Sequence, residues 1–478
     1  MTRVCLVGMG TPALESGRDH GGPGLRCAHF ARALEEQGHE VLILAVGSKH
    51  ADDRRQGFSA VRVPGHARIS TLEVAERDFG DRALTLAVEG HRPEALVGAT
   101  AYASSLALRL GLDLPCWADV FGDLMAEAQA KASLQGDDSC LVHFWSVLVP
   151  VLANADRFSA VSQAQSHALL GQLGLAGRLS SCTADEELVA VIPCAAEEQE
   201  GRDEAQAGDE HPARRLAALP PSAFVVLWSG SFNTWCDVET MFEGVQEAMG
   251  RVPGLYFVSC GGPVPGHDDR SWPNFRRMVE ASVWSDRFIT LGLVDSRDLP
   301  WLYRRAAVGI NIEKELCERT LGSENRVVHW MAHGLAAVTT ARSELGRFLV
   351  RRGMAFACEP RDATSLADLL SRLAADTEVC EAAGRACQVY AATHFGYRET
   401  ASPLLRWCER PRRAGDSGIE KTLSVGLFSE PDSAVHLLEA YLSGLSFSQL
   451  ATRVPRWLWR RLSFPRRRAD RSRSEEST

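Results

Sequence analysis

Short apolar runs that end in a glycine or a polar residue, each followed by residues at helical spacing, recur along most of this chain. Val4–Val7 ends in Gly8 and Gly10, then Cys27, Phe30, Ala31 and Leu34 repeat at helical spacing before the Gly38-His39 turn, and Val41–Val46 is the next run. A strand short and apolar throughout is one covered on both faces, so this order predicts parallel sheets flanked by crossover helices. Ala95–Gly98, Pro115–Ala118 and Phe158–Val161 extend the first series, with Met125–Ser133 read as a helix. The register resumes at Phe224–Trp228 and continues through Leu255–Ser259, Phe288–Leu291, Val308–Ile312 and Leu335–Thr339. Between the two series lies an acidic, aperiodic stretch.

The fold class predicted is therefore α/β, with two Rossmann-like domains. The expected divisions are 1–194 for the first domain, 195–220 for an acidic connector, 221–408 for the second domain with a crossover helix near Ala382–Ala392, and 409–478 for a linker and tail. A chain of 478 residues has room for two such cores. Its net charge of −9 argues against a nucleic-acid coat. The 13 Cys are scattered singly, which fits a reducing cytosol better than a secreted disulfide scaffold, and Met1–Gly8 does not read as a secretory leader. The last 28 residues differ in character, carrying nine Arg against three acidic residues and interleaving them with Trp457, Trp459, Leu462 and Phe464. Such a segment suits an anionic membrane surface or a protein partner, so the expected placement is cytoplasmic, with peripheral membrane attachment through 451–478 as one option.

The chemistry is expected where strands end. Gly21 and Gly22 precede a helix containing Arg26 and His29, and free backbone N–H groups at such an entrance can meet an anion. Trp228-Ser-Gly-Ser-Phe-Asn233 follows a strand of the second half, as do Gly261-Gly262 and Gly309–Glu313. In an open parallel sheet these edges line the ligand crevice. Gly322, Ser323, Glu324, Asn325 and Arg326 open one helix, while Ser343 and Glu344 open another. Helix-start amides and an Arg fork match a diphosphate in charge and geometry, and simple helix capping accounts for the same residues. His267-Asp268-Asp269 contains potential metal ligands, but adjacency alone does not make them converge, and no metal is expected.

In this order the motifs resemble those of the GT-B glycosyltransferases, nearest to the broad family 4 group. The opening strand, the Gly21-Gly22 loop and the Ala28–Leu34 helix resemble that family's acceptor side. Trp228–Trp235, Gly309–Glu313 and Thr339–Leu345 resemble its donor side. The resemblance implies a nucleotide-sugar donor in an interdomain cleft, held mainly by the second domain, no cofactor beyond that substrate, and an acceptor of unspecified kind. It points to retention of the anomeric configuration and to Asp119, at a strand edge, as the first catalytic candidate. An acid there would orient or deprotonate an acceptor hydroxyl. His143 is a second proton carrier, and Asp123, with Glu127 one turn on, is either a substrate contact or a helix cap.

The sequence also departs from the family pattern. The usual Arg and Lys after the first strand of the second half are absent, with Asn233 and Trp235 in that loop. The paired glutamates are missing as well, and His329 stands at the second position. Glu318 and Glu324 are the alternative partners for sugar or ribose hydroxyls, and Arg326 replaces part of the missing positive charge. A nucleotide-sugar epimerase and a noncatalytic nucleotide-sugar sensor are the competing readings.

Overall fold

A computed structural model describes residues 1–10, 12–14, 21–47, 58–196, 216, 218–263 and 267–417. The acidic stretch 197–215 and the tail 451–478, with the membrane and partner expectations attached to it, lie outside the described residues. The described residues belong to one unit, Met1–Ile419.

The first sheet is formed by β1 (Arg3–Met9), β2 (Glu40–Val46), β3 (Val61–Arg62), β4 (Ile69–Val74), β5 (Ala95–Ala99), β6 (Cys116–Val120), β7 (Arg157–Ala160) and β8 (Val189–Val191), in the spatial order β3-β4-β2-β1-β5-β6-β7-β8. All neighbours pair in parallel except β3 with β4. The reversal of strand order beside β1 opens a crevice at the carboxyl ends of the strands. The helix Gly22–Glu36 returns the chain from β1 to β2, burying Cys27, Phe30, Ala31 and Leu34 against Val4, Leu6 and Ile43. Each fully buried Leu, Val or Phe contributes about 1.5–3 kcal/mol, which is why these positions hold the helix on the sheet.

The second sheet comprises β9 (Phe224–Ser229), β10 (Leu255–Cys260), β11 (Phe288–Gly292), β12 (Val308–Asn311), β13 (Ala337–Thr339) and β14 (Ala355–Ala357), in the order β11-β10-β9-β12-β13-β14 and parallel throughout. One face is covered by the helices Val238–Arg251, Ser271–Glu280 and Ala363–Ala375, the other by Leu299–Arg305, Asn325–Ala332 and Glu344–Arg351. Trp330 lies flat against Gly309, where a Cβ would approach its ring to 2.5 Å, so the small residue in β12 sets the depth of the helix that carries the site.

The chain crosses between the lobes twice, and the crossings are joined, since the Ala196 N–H donates to the Phe395 carbonyl at 2.9 Å. The helix Thr377–His394 brings the chain back, and the helices Tyr397–Thr400 and Ser402–Glu409 settle on the first lobe. Tyr397, Ala401, Leu404, Trp407 and Cys408 complete the first core, so the division expected at residue 408 falls after the return rather than at a lobe boundary. The stretch 411–417, expected as a linker, is docked on the first lobe. Arg178 forks onto Asp416 at 2.6 and 3.1 Å, Asp156 accepts from the Ala414 N–H at 2.8 Å, and Glu186 accepts from the Gly415 N–H at 3.0 Å. No described helix is long and apolar enough to cross a membrane. Cys5 and Cys27 are buried, and burial pushes both thiols up to about 12, which leaves them inert packing groups.

Candidate active site

The carboxyl ends of both sheets face one cleft, and several contacts close across it. Ser162 donates its hydroxyl to the Leu321 carbonyl at 2.6 Å, and the Ala164 N–H donates to the Glu344 carboxylate at 3.0 Å. Gly22 abuts Asn325, whose Nδ2 lies 3.0 Å from where a Cβ on residue 22 would stand. Gly21 is the residue before the first-lobe helix, with its N–H groups unclaimed by any side-chain cap. The loops 229–237, 312–325 and 339–344 supply the second-lobe wall.

Arg326, in the first turn of Asn325–Ala332, reaches back to the end of β9. Its guanidinium lies 3.9 Å from the centre of the Trp228 ring and donates from Nη2 to the Ser231 carbonyl at 3.1 Å, while its buried Nη1 has no partner. Asn233 Oδ1 and His329 Nε2 are likewise buried and unpartnered. The β9 and β10 loops meet so closely that Gly261, at φ 120°, would put a Cβ 2.2 Å from the Gly230 carbonyl oxygen. Only glycine fits there. A half-buried Arg held by stacking and one carbonyl retains N–H donors for an anion, since guanidinium carries five.

Beside it lies a carboxylate cluster. Arg319 pairs with Glu318 through two N–H groups and donates to Glu313 at 2.8 Å, with its guanidinium 4.8 Å from the Trp235 ring centre. Burial raises the Glu318 carboxyl, and Arg319 partly offsets it. Burial works against the Arg319 charge, but Glu318 and Glu313 hold the guanidinium well above its ordinary range. Glu324 is buried next to Glu313 and Ser343, and burial together with the Glu313 charge pushes it up to about 8. It is a neutral acid at physiological pH, able to donate as well as accept.

The imidazoles of His29 on the first lobe and His329 on the second lie close enough for their charges to interact. Burial lowers His29 to about 3, assisted by His329, Arg26 and Arg32, and burial with His333 lowers His329 to about 4. Both are neutral at pH 7.

The remaining expected residues divide by their surroundings. Asp119 is wholly buried in β6. Both of its oxygens accept from Arg26, at 2.9 and 2.8 Å, and one also accepts from the Ser159 hydroxyl at 2.6 Å. Asp123 caps Leu124–Gln135 by accepting from the Ala126 N–H at 2.8 Å and receives Gln172 at 2.9 Å. His143 is exposed on the helix Leu141–Asn154 beside Tyr102 and Phe144. Ser343 caps Glu344–Arg351 by accepting from the Gly346 N–H at 2.8 Å, Gly322 terminates the short helix Cys317–Leu321, and Ser323 follows it. Asp268 accepts from the N–H groups of Arg270 and Ser271 just before the helix Ser271–Glu280. Among the described residues no three His, Cys, Asp or Glu side chains are grouped to hold a metal. Sequence reasoning names neither Arg319 nor Glu313 as a site residue, although the Glu-x4-Glu-Arg spacing after β12 is the signal that could have found them.

The whole two-lobe arrangement superposes on solved proteins. Sucrose-phosphate synthase from Thermosynechococcus elongatus matches with a TM-score of 0.65 over 86% of this chain and 99% of that one, at 18% identity. The chain has the GT-B fold. Anabaena HepE, solved with UDP and glucose, shares this GT-B arrangement with a TM-score of 0.62 over 86% and 100% of the two chains, at 16% identity. A UDP-forming trehalose-phosphate synthase from Burkholderia vietnamiensis gives 0.59 over 85% and 100%, at 12% identity. At these identities the likeness is one of GT-B architecture and does not single out family 4. No family model and no curated protein matches the sequence.

Proposed function

We propose that this chain is a glycosyltransferase that takes a sugar from a nucleoside-diphosphate donor held by the second lobe and delivers it to an acceptor in the cleft. The observation that carries this reading is Arg326, with an unpartnered, buried Nη1 beside the Gly230-Gly261 contact. A diphosphate there would accept charge-assisted hydrogen bonds from the guanidinium and from helix-start amides. HepE has been solved with UDP-glucose in a GT-B chain of like architecture, which supports a nucleotide sugar as the ligand class.

In the reaction the acceptor oxygen bonds to the anomeric carbon as its proton passes to the departing diphosphate oxygen, and the sugar–phosphate bond breaks with its electron pair leaving on that oxygen. Relief of that charge by Arg326 lowers the barrier because the interaction strengthens as the bond breaks. Neutral Glu324 would hydrogen-bond a sugar hydroxyl, and His329 would do the same for the nucleotide ribose. Asp119, sealed by Arg26 and Ser159, holds the first-lobe wall in place and is not itself the base. The proposed course is same-face displacement with retention, which requires no carboxylate nucleophile.

The test is incubation with UDP-, GDP-, ADP- and TDP-sugars and cell-extract acceptors, with mass analysis of both products. Transfer yields a free nucleoside diphosphate and a glycosylated acceptor. An epimerase would give an altered sugar with no acceptor product, and a sensor would bind without turnover.

A further inference from the structure

A second cationic site lies outside the donor wall. A groove of about 500 Å³ is lined by Leu134 of the first lobe and by Glu239, Arg270, Asn274, Arg277 and Lys314 of the second. Its volume is in the range of small-molecule sites. The three cations are steadied by neutral acceptors. Arg270 donates to the Leu134 carbonyl across the lobes, Arg277 to Asn274 Oδ1 at 2.5 Å, and Lys314 to the Thr234 carbonyl at 3.2 Å. Glu239, the one lining carboxylate among the described residues, is engaged by the Asn274 amide at 2.5 Å. Among the described residues the groove therefore holds three positive charges, on exposed Arg270 and Arg277 and half-buried Lys314, against one negative, with N–H donors to spare.

We infer that this groove binds a phosphoryl group, at a site separate from the donor diphosphate, and that its occupant bridges the two lobes through Arg270 and the Leu134 backbone. Phosphate is the chemistry favoured because a planar Arg fork and a point-charge Lys together match its several oxygens. The source is either a phosphorylated metabolite or free phosphate. The groove shares no lining residue with the donor wall built on Arg326, Gly230 and Gly261. The inference rests on the groove's own residues and does not require the donor reading.

The experiment is calorimetric titration of the full chain with inorganic pyrophosphate. Arg326→Ala removes the donor-side guanidinium, so pyrophosphate that still binds this variant occupies another place. One site is expected to remain in Arg326→Ala. Adding Arg277→Gln and Lys314→Gln, both at the groove surface, is expected to weaken that site at least about tenfold, which corresponds to about 1.4 kcal/mol. Undiminished binding after these substitutions, or no binding to Arg326→Ala alone, would overturn the inference. Arg277→Glu in the Arg326→Ala background supplies a single-residue check, expected to weaken pyrophosphate more than Arg277→Gln does; equal affinities would count against the groove. Titrations of Arg326→Ala with glycerol 3-phosphate and with inorganic phosphate separate the sources. Binding tighter than inorganic phosphate assigns a phosphorylated metabolite, equal binding assigns free phosphate, and both support the site. Failure of the donor reading would show separately, as UDP-glucose binding that Arg326→Ala leaves unchanged.

Discussion

Arg26 grips both oxygens of Asp119 and, with its remaining N–H groups, the carbonyls of Ile192 and Pro193 at 2.8 and 2.7 Å. One buried guanidinium thus joins a strand end facing the cleft to the segment where the chain leaves the first lobe. Removing one partner of a buried ion pair leaves the other charge uncompensated, which costs about 3–5 kcal/mol, whereas replacing both by apolar groups is far less costly. Asp119→Asn should lower stability in urea unfolding by about that amount, and Asp119→Leu with Arg26→Met should cost less than Asp119→Asn alone. A free catalytic base would give the opposite pattern, with unchanged stability and lost turnover.

Glu324 gives the pH dependence a definite sign. Its carboxyl is raised in the folded chain, so its contribution is fully present below the unfolded value of about 4.5 and is lost as pH rises through about 8. Wild-type stability should therefore fall between pH 5 and pH 8 relative to Glu324→Gln, by about 3–4 kcal/mol, since each tenfold difference in proton affinity between the folded and unfolded chain corresponds to about 1.4 kcal/mol. Urea unfolding of both proteins at pH 5 and pH 8 measures it, and parallel changes in the two would show that Glu324 is not held neutral.

His29 and His329 act in the other direction. Both are lowered, so their contribution is present above the unfolded value of about 6.5 and drains away as pH falls toward 3 to 4. His29→Gln should flatten the acid side of the stability profile below pH 6. An unchanged profile would mean the imidazole is not buried neutral.

The Gly261 contact tests the donor wall. A Cβ there meets backbone and not a flexible side chain, at a positive φ that disfavours any other residue. Gly261→Ala should cost about 1–3 kcal/mol and weaken UDP-glucose binding, because Gly230 and Ser231 must shift away from Arg326. Intact affinity would separate the loop from the ligand.

Much of this architecture is legible in the sequence because a buried parallel strand is a continuous apolar run. Val41–Val46 and Phe224–Trp228 read directly as β2 and β9 to within a residue at either end. β4, Ile-Ser-Thr-Leu-Glu-Val, escapes such a reading because it lies nearer the sheet edge and mixes polar with apolar residues. The helix Leu141–Asn154 escapes it because Pro150 sits inside and its apolar residues leave no polar face to read. The site is harder. Arg26 and Asp119 are 93 positions apart, and nothing local announces that they meet, so Asp119 reads as a free acid. Arg326 is legible because a helix start and its Arg are adjacent in sequence, whereas the Arg319 cluster needs the loop after β12 to fold back on itself.

In the proposed function Arg326 holds the diphosphate of a sugar donor. Calorimetric binding of UDP-glucose to the wild type and to Arg326→Ala, with an assay for released UDP and glycosylated product, tests it most directly. Donor binding is expected to weaken about tenfold or more and turnover to fall further still, since a charge-assisted contact is worth about 1.5–3 kcal/mol and strengthens as the bond breaks. Equal binding and equal turnover by the two proteins would contradict it.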